Sequence, residues 1–439
     1  MPVDTPNTSA GLLDGKTILR FAHAYESGGG TERYLDDLDQ ALLTRNAMTI
    51  VRLHITRNPT PPPPSTEILG KGQLIRIALP IGRSNCSAEI DDEHSARTRL
   101  RRLVRDWVIY NPVAWLIAGA KLTSSVRLHP KAGQAIGAGR AAADVLHTRC
   151  VDFAMLHYFG GADAEEVIQE VRDAQVPFAI LNHYSNDRFL HLPIRKHAML
   201  ADGVAGVNGL DQPRYVRDRF VNLSDGIDIN YFQPTNVRAL PDKPTHPILL
   251  LPARVTREKG QLDLIRAAAE LRKTGTPCCV AFAGRVDASG FIEELKVEIK
   301  KAGLSDSVHF LGALGLDDLR NWYAASAIVV LPTYHHEGLP RVILEAQAME
   351  RPVVAYATGG LADGIEQGKT GLLHRTGDIA GLTESLRELL TSPALRNAMG
   401  KAGRKAAESR FNLTALAMRH ENFYAETIAK SKSAASRAG

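Results

Sequence analysis

Six short apolar runs, separated by segments of helix length, dominate the second half of the chain and leave it few ways to fold. They are ILLLP from Ile248, CCVAFAG from Cys278, VHFLG from Val308, AIVVLPT from Ala327, PVVAYATGG from Pro352 and TGLLH from Thr370. Uninterrupted apolar runs this short read as strands buried on both faces, which pair in parallel and need crossover helices. Helices are expected from about Gly260, from Phe291 to Ala302, from Leu316 to Ala325, and after Pro340. The result is an α/β, Rossmann-like sheet. The first half repeats the alternation less regularly, with TILRFAHA from Thr17, DVLHT from Asp144 read as a strand, a helix from Asp163 to Gln175, and PFAILNH from Pro177.

A chain of 439 residues exceeds one core of ordinary size, so two domains are expected. The turn-rich LSDGIDINYFQP and Pro-studded NVRALPDKPTHP suit a linker, giving a first domain over 1–235 and a second over 236–411. A 44% hydrophobic and 23% charged content is that of a globular, enzyme-sized chain. The net charge of +5 is mild and few aromatics interleave with the basic residues, so nucleic acid is not an expected partner. Cys86, Cys150, Cys278 and Cys279 lack CxxC spacing and read as reduced core thiols of a cytosolic protein. The N-terminus lacks a basic region followed by an apolar one, so no secretion signal is read there.

In doubly wound sheets, ligands bind beyond the carboxyl ends of strands, which singles out four loops. After AIVVLPT, the stretch YHHEGLPRVILEAQA places Glu337 at a strand end and Glu345 about two helical turns further on, on roughly the same face. Such carboxylates suit sugar or ribose hydroxyls, and the competing reading is a pair of solvated surface charges. After ILLLP, the loop carries Arg254, Arg257 and Lys259 before a helix start, where cations and helix dipole add in favour of a diphosphate. Arg257 reads better as a surface charge. After TILRFAHA come Gly28, Gly29 and Gly30, which allow close approach of backbone to ligand, although GxGxxG spacing is missing. His183 ends PFAILNH, where it could donate to a sugar hydroxyl or a phosphate, serve as general base, or simply bond at its own strand end; His147 is a weaker candidate of the same kind.

Residues 96–122 place five arginines before an apolar run interrupted by Asn111 and Pro112, too short to span a membrane. Two readings stay open: a core helix, which is preferred, or peripheral contact with an anionic membrane surface.

Taken together, the Gly-rich turn, ARVTREKG, FAG, VLPTYHHEGLPRVILEAQA, ATGGLADGI and KTGLL resemble the retaining, two-Rossmann-domain (GT-B) glycosyltransferases, in particular glycosyltransferase family four. The resemblance spans the second half and patches of the first. It implies two Rossmann-like domains facing across a cleft, with 412–439 crossing back onto the first domain. It implies that Arg254 and Lys259 neutralise a donor diphosphate, that Glu345 binds ribose hydroxyls, and that Glu337 addresses the transferred sugar. Gly338, Leu339 and Pro340 belong to the same donor loop, Gly29 and Gly30 to the turn over the diphosphate, and His183 to the surroundings of the anomeric centre. It also implies a nucleotide diphospho-sugar donor, a glycan or lipid-linked acceptor, no required cofactor, and work in the cytoplasm or at the inner membrane face. No DxD pair demanding a metal stands near these loops. A nucleotide-sugar epimerase and a non-catalytic sugar-nucleotide binder are the alternatives. The sequence departs from the family at Arg341, where small or apolar residues are usual, and at Asp363, where glutamate is common; residues 57–131 carry no family motif.

Overall fold

A computed structural model describes residues 11–25, 30–56, 61–80, 137–157, 162–183, 192–209, 214–235, 237–240, 244–286 and 290–438. Two sheets organise them. The first comprises β1 (Thr17–Tyr25), β2 (Thr49–Thr56), β3 (Ser65–Leu69), β4 (Gly72–Pro80), β5 (Phe153–His157), β6 (Phe178–Asn182), β7 (Gly203–Gly206) and β8 (Phe220–Asn222), in the order β3-β4-β2-β1-β5-β6-β7-β8. Every pairing is parallel except β3 with β4, a hairpin turned at Gly70 with φ 58°. The second sheet holds β9 (Ile248–Leu251), β10 (Cys279–Ala283), β11 (Val308–Gly312), β12 (Ile328–Leu331), β13 (Val353–Tyr356) and β14 (Gly371–His374), all parallel, in the order β11-β10-β9-β12-β13-β14. The six apolar runs are these six strands. The order reverses at β9 and β12, the switch point at which doubly wound sheets open a crevice.

Twelve α-helices cover the sheets among the described residues: α1 (Gly30–Arg45), α2 (Ala138–Thr148), α3 (Ala162–Asp173), α4 (Leu192–Leu200), α5 (Gln261–Lys273), α6 (Phe291–Lys301), α7 (Leu316–Ala325), α8 (Arg341–Ala348), α9 (Leu361–Gly364), α10 (Ile379–Thr391), α11 (Pro393–Arg410) and α12 (Leu413–Ala438). DVLHT is not a strand but the last turn of α2. Its segment AGRAAADVLHT buries Ala138, Ala142 and Val145, a four-then-three spacing that is helical. His147 is accordingly exposed, with Nδ1 2.7 Å from the Ala143 carbonyl, and lies away from any strand end. Cys278 and Cys279 are buried free thiols, whereas Cys150 is exposed, so the core assignment fails for it. Cys86 and the segment 96–122 lie outside the described residues.

The last helix, α12, crosses from the second half to lie against α1. Glu421 accepts from Arg45 Nε at 2.7 Å and from Asn46 Nδ2 at 2.8 Å, and Tyr34 Oη lies 2.7 Å from His420 Nε2. Phe423 packs so closely on β7 that a Cβ at Gly203 would lie 2.8 Å from its ring. Beneath this contact the Arg20 guanidinium is wholly buried, paired with Asp39 and donating to Tyr424 Oη at 3.1 Å.

Candidate functional site between the two sheets

A cleft of about 340 Å³ opens where β9 and β12 of the second sheet face the first half. Its floor is built by glycines that let loops approach one another. Gly260 sits at φ 75°, where a Cβ would come within 1.9 Å of the Pro332 carbonyl oxygen. The loop after β9 therefore packs on the loop after β12, and Lys259 is held at the mouth of α5. A Cβ at Gly284 would meet the Ala253 carbonyl at 2.0 Å, so the glycine of FAG lets the Arg254 loop pass. The buried Gln261 side chain then fixes that loop, donating to the Arg254 carbonyl at 2.8 Å. Arg254 itself is exposed and lines the cleft.

The loop from Thr333 to Pro340 is bound to the same surface, Tyr334 N donating to the Glu258 carbonyl at 2.8 Å. Gly359, at φ 57°, and Gly360 of ATGG lie under it, and Gly360 N donates to the Glu337 carbonyl at 2.9 Å. Glu337 so placed pairs with Lys259 Nζ. Lys259, Arg254, Glu337, Gly338, Leu339 and Pro340 all line the cleft. α8 begins at this rim with Arg341 and Val342 in the cleft lining, α5 begins two residues after Lys259, and neither helix has a side-chain cap on its N-terminal amides. Arg257 turns away to an exposed pair with Glu294.

Glu345 is fully buried and is not part of the cleft lining. Its Oε1 accepts from Arg33 Nη1 at 2.7 Å and its Oε2 from Tyr323 Oη at 2.9 Å. Burial, and next the Glu345 charge, push the Tyr323 phenol well above its ordinary pKa. Gly30 opens α1, and Gly29 lies outside the described residues.

The first half contributes the opposite wall: Thr31, Arg33, Tyr34, His183, Val207 and Asp225. His183 Nε2 lies 2.8 Å from His157 Nδ1, the rings stack at 5.1 Å, and Tyr34 meets His183 edge-on at 4.7 Å. Burial, then Arg20, pulls the His183 pKa down to about 3, and burial, then His183, lowers that of His157 well below the usual range. Both imidazoles are neutral at neutral pH. The two walls touch: a Cβ at Gly338 would lie 2.3 Å from the His183 carbonyl.

Sequence reasoning missed His157, Arg33, Tyr34 and Asp225. His157 ends an apolar run, AMLH, as His183 does, a signal that was available; Arg33 and Asp225 gave none. Arg341 proves to be nearly buried, donating from Nη1 to Asp225 at 3.1 Å and to the Gly226 carbonyl at 3.0 Å, and pairing through Nη2 with Asp37. Asp363 accepts from the Gly209 amide and from Asn222 Nδ2 at 3.3 Å. Among the described residues, no group of three His, Cys, Asp or Glu is placed to hold a metal ion, and no helix is long and apolar enough to cross a membrane.

Two Rossmann-like domains facing across a cleft, with the terminal helix returned to the first, define a GT-B fold. A glycosyltransferase from Rickettsia africae superposes with a TM-score of 0.65 at 17% identity, covering 94% of this chain and 98% of that one. HepE of Anabaena, solved with UDP, gives 0.65 at 16% identity over 92% of this chain and 98% of that one. At such identities the likeness establishes the fold. Residues 232–406 match the family described as glycosyl transferases group 1, so the resemblance read from the second half holds. A D-inositol 3-phosphate glycosyltransferase of Arthrobacter is 35% identical over 40% of this chain and 43% of its own length. A GDP-mannose-dependent monoacylated alpha-(1-6)-phosphatidylinositol monomannoside mannosyltransferase of Corynebacterium glutamicum is 31% identical over 44% of this chain and 52% of its own. The chain thus spans about half the length of the curated relatives it matches.

Proposed function

We propose that this chain is a retaining glycosyltransferase that moves a sugar from a nucleotide diphospho-sugar to an acceptor hydroxyl. The observation that carries the reading is the Lys259–Glu337 pair at the switch point of the second sheet, with Arg254 beside it and two uncapped helix N-termini at the same rim. Cations and dipoles so placed suit a diphosphate, and a carboxylate next to them suits a sugar hydroxyl.

In the reaction the bond between anomeric carbon and phosphate oxygen breaks and its electron pair passes to the diphosphate. Lys259, Arg254 and the starts of α5 and α8 stabilise the charge that develops there, in a site fixed before reaction begins. The acceptor hydroxyl attacks from the face the diphosphate leaves, and its proton passes to the leaving phosphate oxygen. His183, neutral and held by His157, serves as a hydrogen-bonding group to the sugar rather than as an acid. Gly29 and Gly30 contribute backbone to the diphosphate, and Gly338, Leu339 and Pro340 wall the sugar. Glu345 takes ribose hydroxyls once Arg33 yields it.

The acceptor belongs to the first domain. The mannosyltransferase relative is named for a phosphatidylinositol acceptor, and a Rhizobium leguminosarum relative is named as a lipopolysaccharide core mannosyltransferase, so a lipid-linked glycan is our preferred acceptor. Such an acceptor would be met at the cytoplasmic face of the membrane. The test is a thermal-shift screen with UDP, GDP, ADP and their sugars, followed by assay of the best donor with lipid-linked and soluble acceptors. Donor consumption that requires an acceptor is expected; consumption without one would point to an epimerase. Replacing Lys259 by alanine should lower turnover by roughly 10²–10³-fold, as loss of an electrostatic donor does elsewhere.

A further inference from the structure

We propose that Arg341 is a positioning residue that fastens the Glu337 loop to the acceptor-side wall, so that its loss lowers turnover without a matching loss of nucleotide binding. This rests on the transferase reading above.

Arg341 is the first residue of α8 and directly follows the loop Glu337–Pro340. The residue is only 6% exposed, and its guanidinium leaves the second domain and ends among three acceptors of the first: Asp225, the Gly226 carbonyl and Asp37 of α1. Asp225 is supported from behind by α12, where Arg419 donates to the Leu223 carbonyl at 2.6 Å and to the Asp225 carbonyl at 3.2 Å. The anchor is thus rigid, and the loop it holds carries the carboxylate assigned to the sugar.

Two further crossings lie alongside. Arg33 reaches Glu345, also on α8, and Asp363 of α9 takes the Gly209 amide. Where the surfaces meet, side chains are missing: a Cβ at Gly338 would strike the His183 carbonyl and one at Gly360 the Asn208 side chain at 2.8 Å. Glycine permits the approach, and Arg341 fixes its register. A buried ion pair is also suited to a joint that must open for substrate exchange. The attraction gained on closing is largely offset by the loss of hydration, so the joint is specific in geometry yet modest in net strength. Arg341 therefore sets where Glu337, with the Lys259 paired to it, stands relative to the opposite wall, while Arg254 and Lys259 keep their places within the second domain.

The experiment uses the full chain with Arg341→Met, Arg341→Lys and Asp37→Asn. Nucleotide affinity is measured by calorimetry with UDP, GDP or ADP, turnover with the donor found above, fold by thermal melting, and domain separation by small-angle scattering. For Arg341→Met, the nucleotide Kd should stay within about threefold of the parent while kcat falls roughly 10²-fold, the scale expected for misplacing a reacting group by about an ångström. The radius of gyration should rise, Asp37→Asn should show a smaller effect in the same direction, and Arg341→Lys should recover part of kcat. Unchanged kcat in Arg341→Met would overturn the proposal. So would parallel loss of binding, turnover and melting temperature in Arg341→Met and Asp37→Asn, which marks a merely structural residue. Should the parent show no transfer with any donor, the transferase reading fails, and scattering alone then decides whether Arg341 holds the domains together: a larger radius supports it and an unchanged one refutes it.

Discussion

Arg33, in the first turns of α1, holds Glu345 across 312 positions of sequence through an ion pair of 2.7 Å. The carboxylate proposed for ribose is thus engaged by Arg33 on one oxygen and Tyr323 on the other. On the proposed role, ribose hydroxyls would share or replace these partners, and hydrogen bonds to a charged group contribute about 1.5–3 kcal/mol. The nucleoside diphosphate selected by screening should accordingly bind roughly 10-fold more tightly than its 2′,3′-dideoxy form, a preference that Glu345→Gln should shrink. Titration calorimetry of the four combinations measures it; equal affinities for both nucleotides in the parent would remove Glu345 from the ribose role.

Two glycines at the cleft should respond differently to alanine. Gly260 combines a left-handed φ of 75° with a backbone oxygen where the Cβ would go, so Gly260→Ala should lower stability by more than about 1 kcal/mol, visible as a lower melting temperature. Gly338 has no such dihedral, and its obstacle lies on the other domain. Gly338→Ala should melt near the parent temperature yet lose most of its turnover, because the domains can no longer meet.

The Arg20–Asp39 pair predicts a stability loss remote from the cleft. Asp39→Ala leaves the wholly buried Arg20 without its carboxylate, a change that costs about 3–5 kcal/mol in comparable sites. Denaturant unfolding should show it. Replacing Tyr424 by phenylalanine removes a neutral partner of the same guanidinium and of the His420 ring, and should cost less, about 1.5–3 kcal/mol.

His157 and His420 give the chain a defined acid sensitivity. Burial lowers both pKa values well below the ordinary one, so the folded protein binds fewer protons than the unfolded chain once pH falls beneath about 6.5. The stability conferred by the neutral imidazoles is complete above that pH and is lost as pH falls toward the folded values, by up to about 1.4 kcal/mol per pH unit for each histidine. Unfolding free energies at pH 7, 6 and 5 should fall accordingly, and less steeply in His420→Gln.

Much of the second domain was legible because four of its strands, β9, β10, β12 and β13, are buried at every position. Such a strand must be apolar throughout, so Ile248–Leu251 and Ile328–Leu331 read as unbroken apolar runs, each stopped by a proline. The loops after them carry the cations and the carboxylate for a local reason as well: the end of a parallel strand is where a ligand can be met. The first domain was less legible. DVLHT was misread because five residues do not distinguish a strand from the last turn of a helix, and only burial of Ala138, Ala142 and Val145 identifies the period.

Sequence by itself determined the six-stranded parallel sheet, the resemblance of its second half to glycosyl transferases group 1, and the residues Arg254, Lys259 and Glu337 at one rim, since strand, loop and helix follow one another within a short stretch of chain. Tertiary structure alone decided that Arg341 belongs to Asp37 and Asp225, that Glu345 belongs to Arg33, and that His183 rests on His157. The two arginine pairs join elements that meet only after both sheets have formed and the domains have closed, and the histidine pair only once β5 and β6 lie side by side in the first sheet. An arginine on α8 has the same local chemistry whether it faces water, a phosphate or two aspartates, and what distinguishes these outcomes is the surface the other domain brings to it.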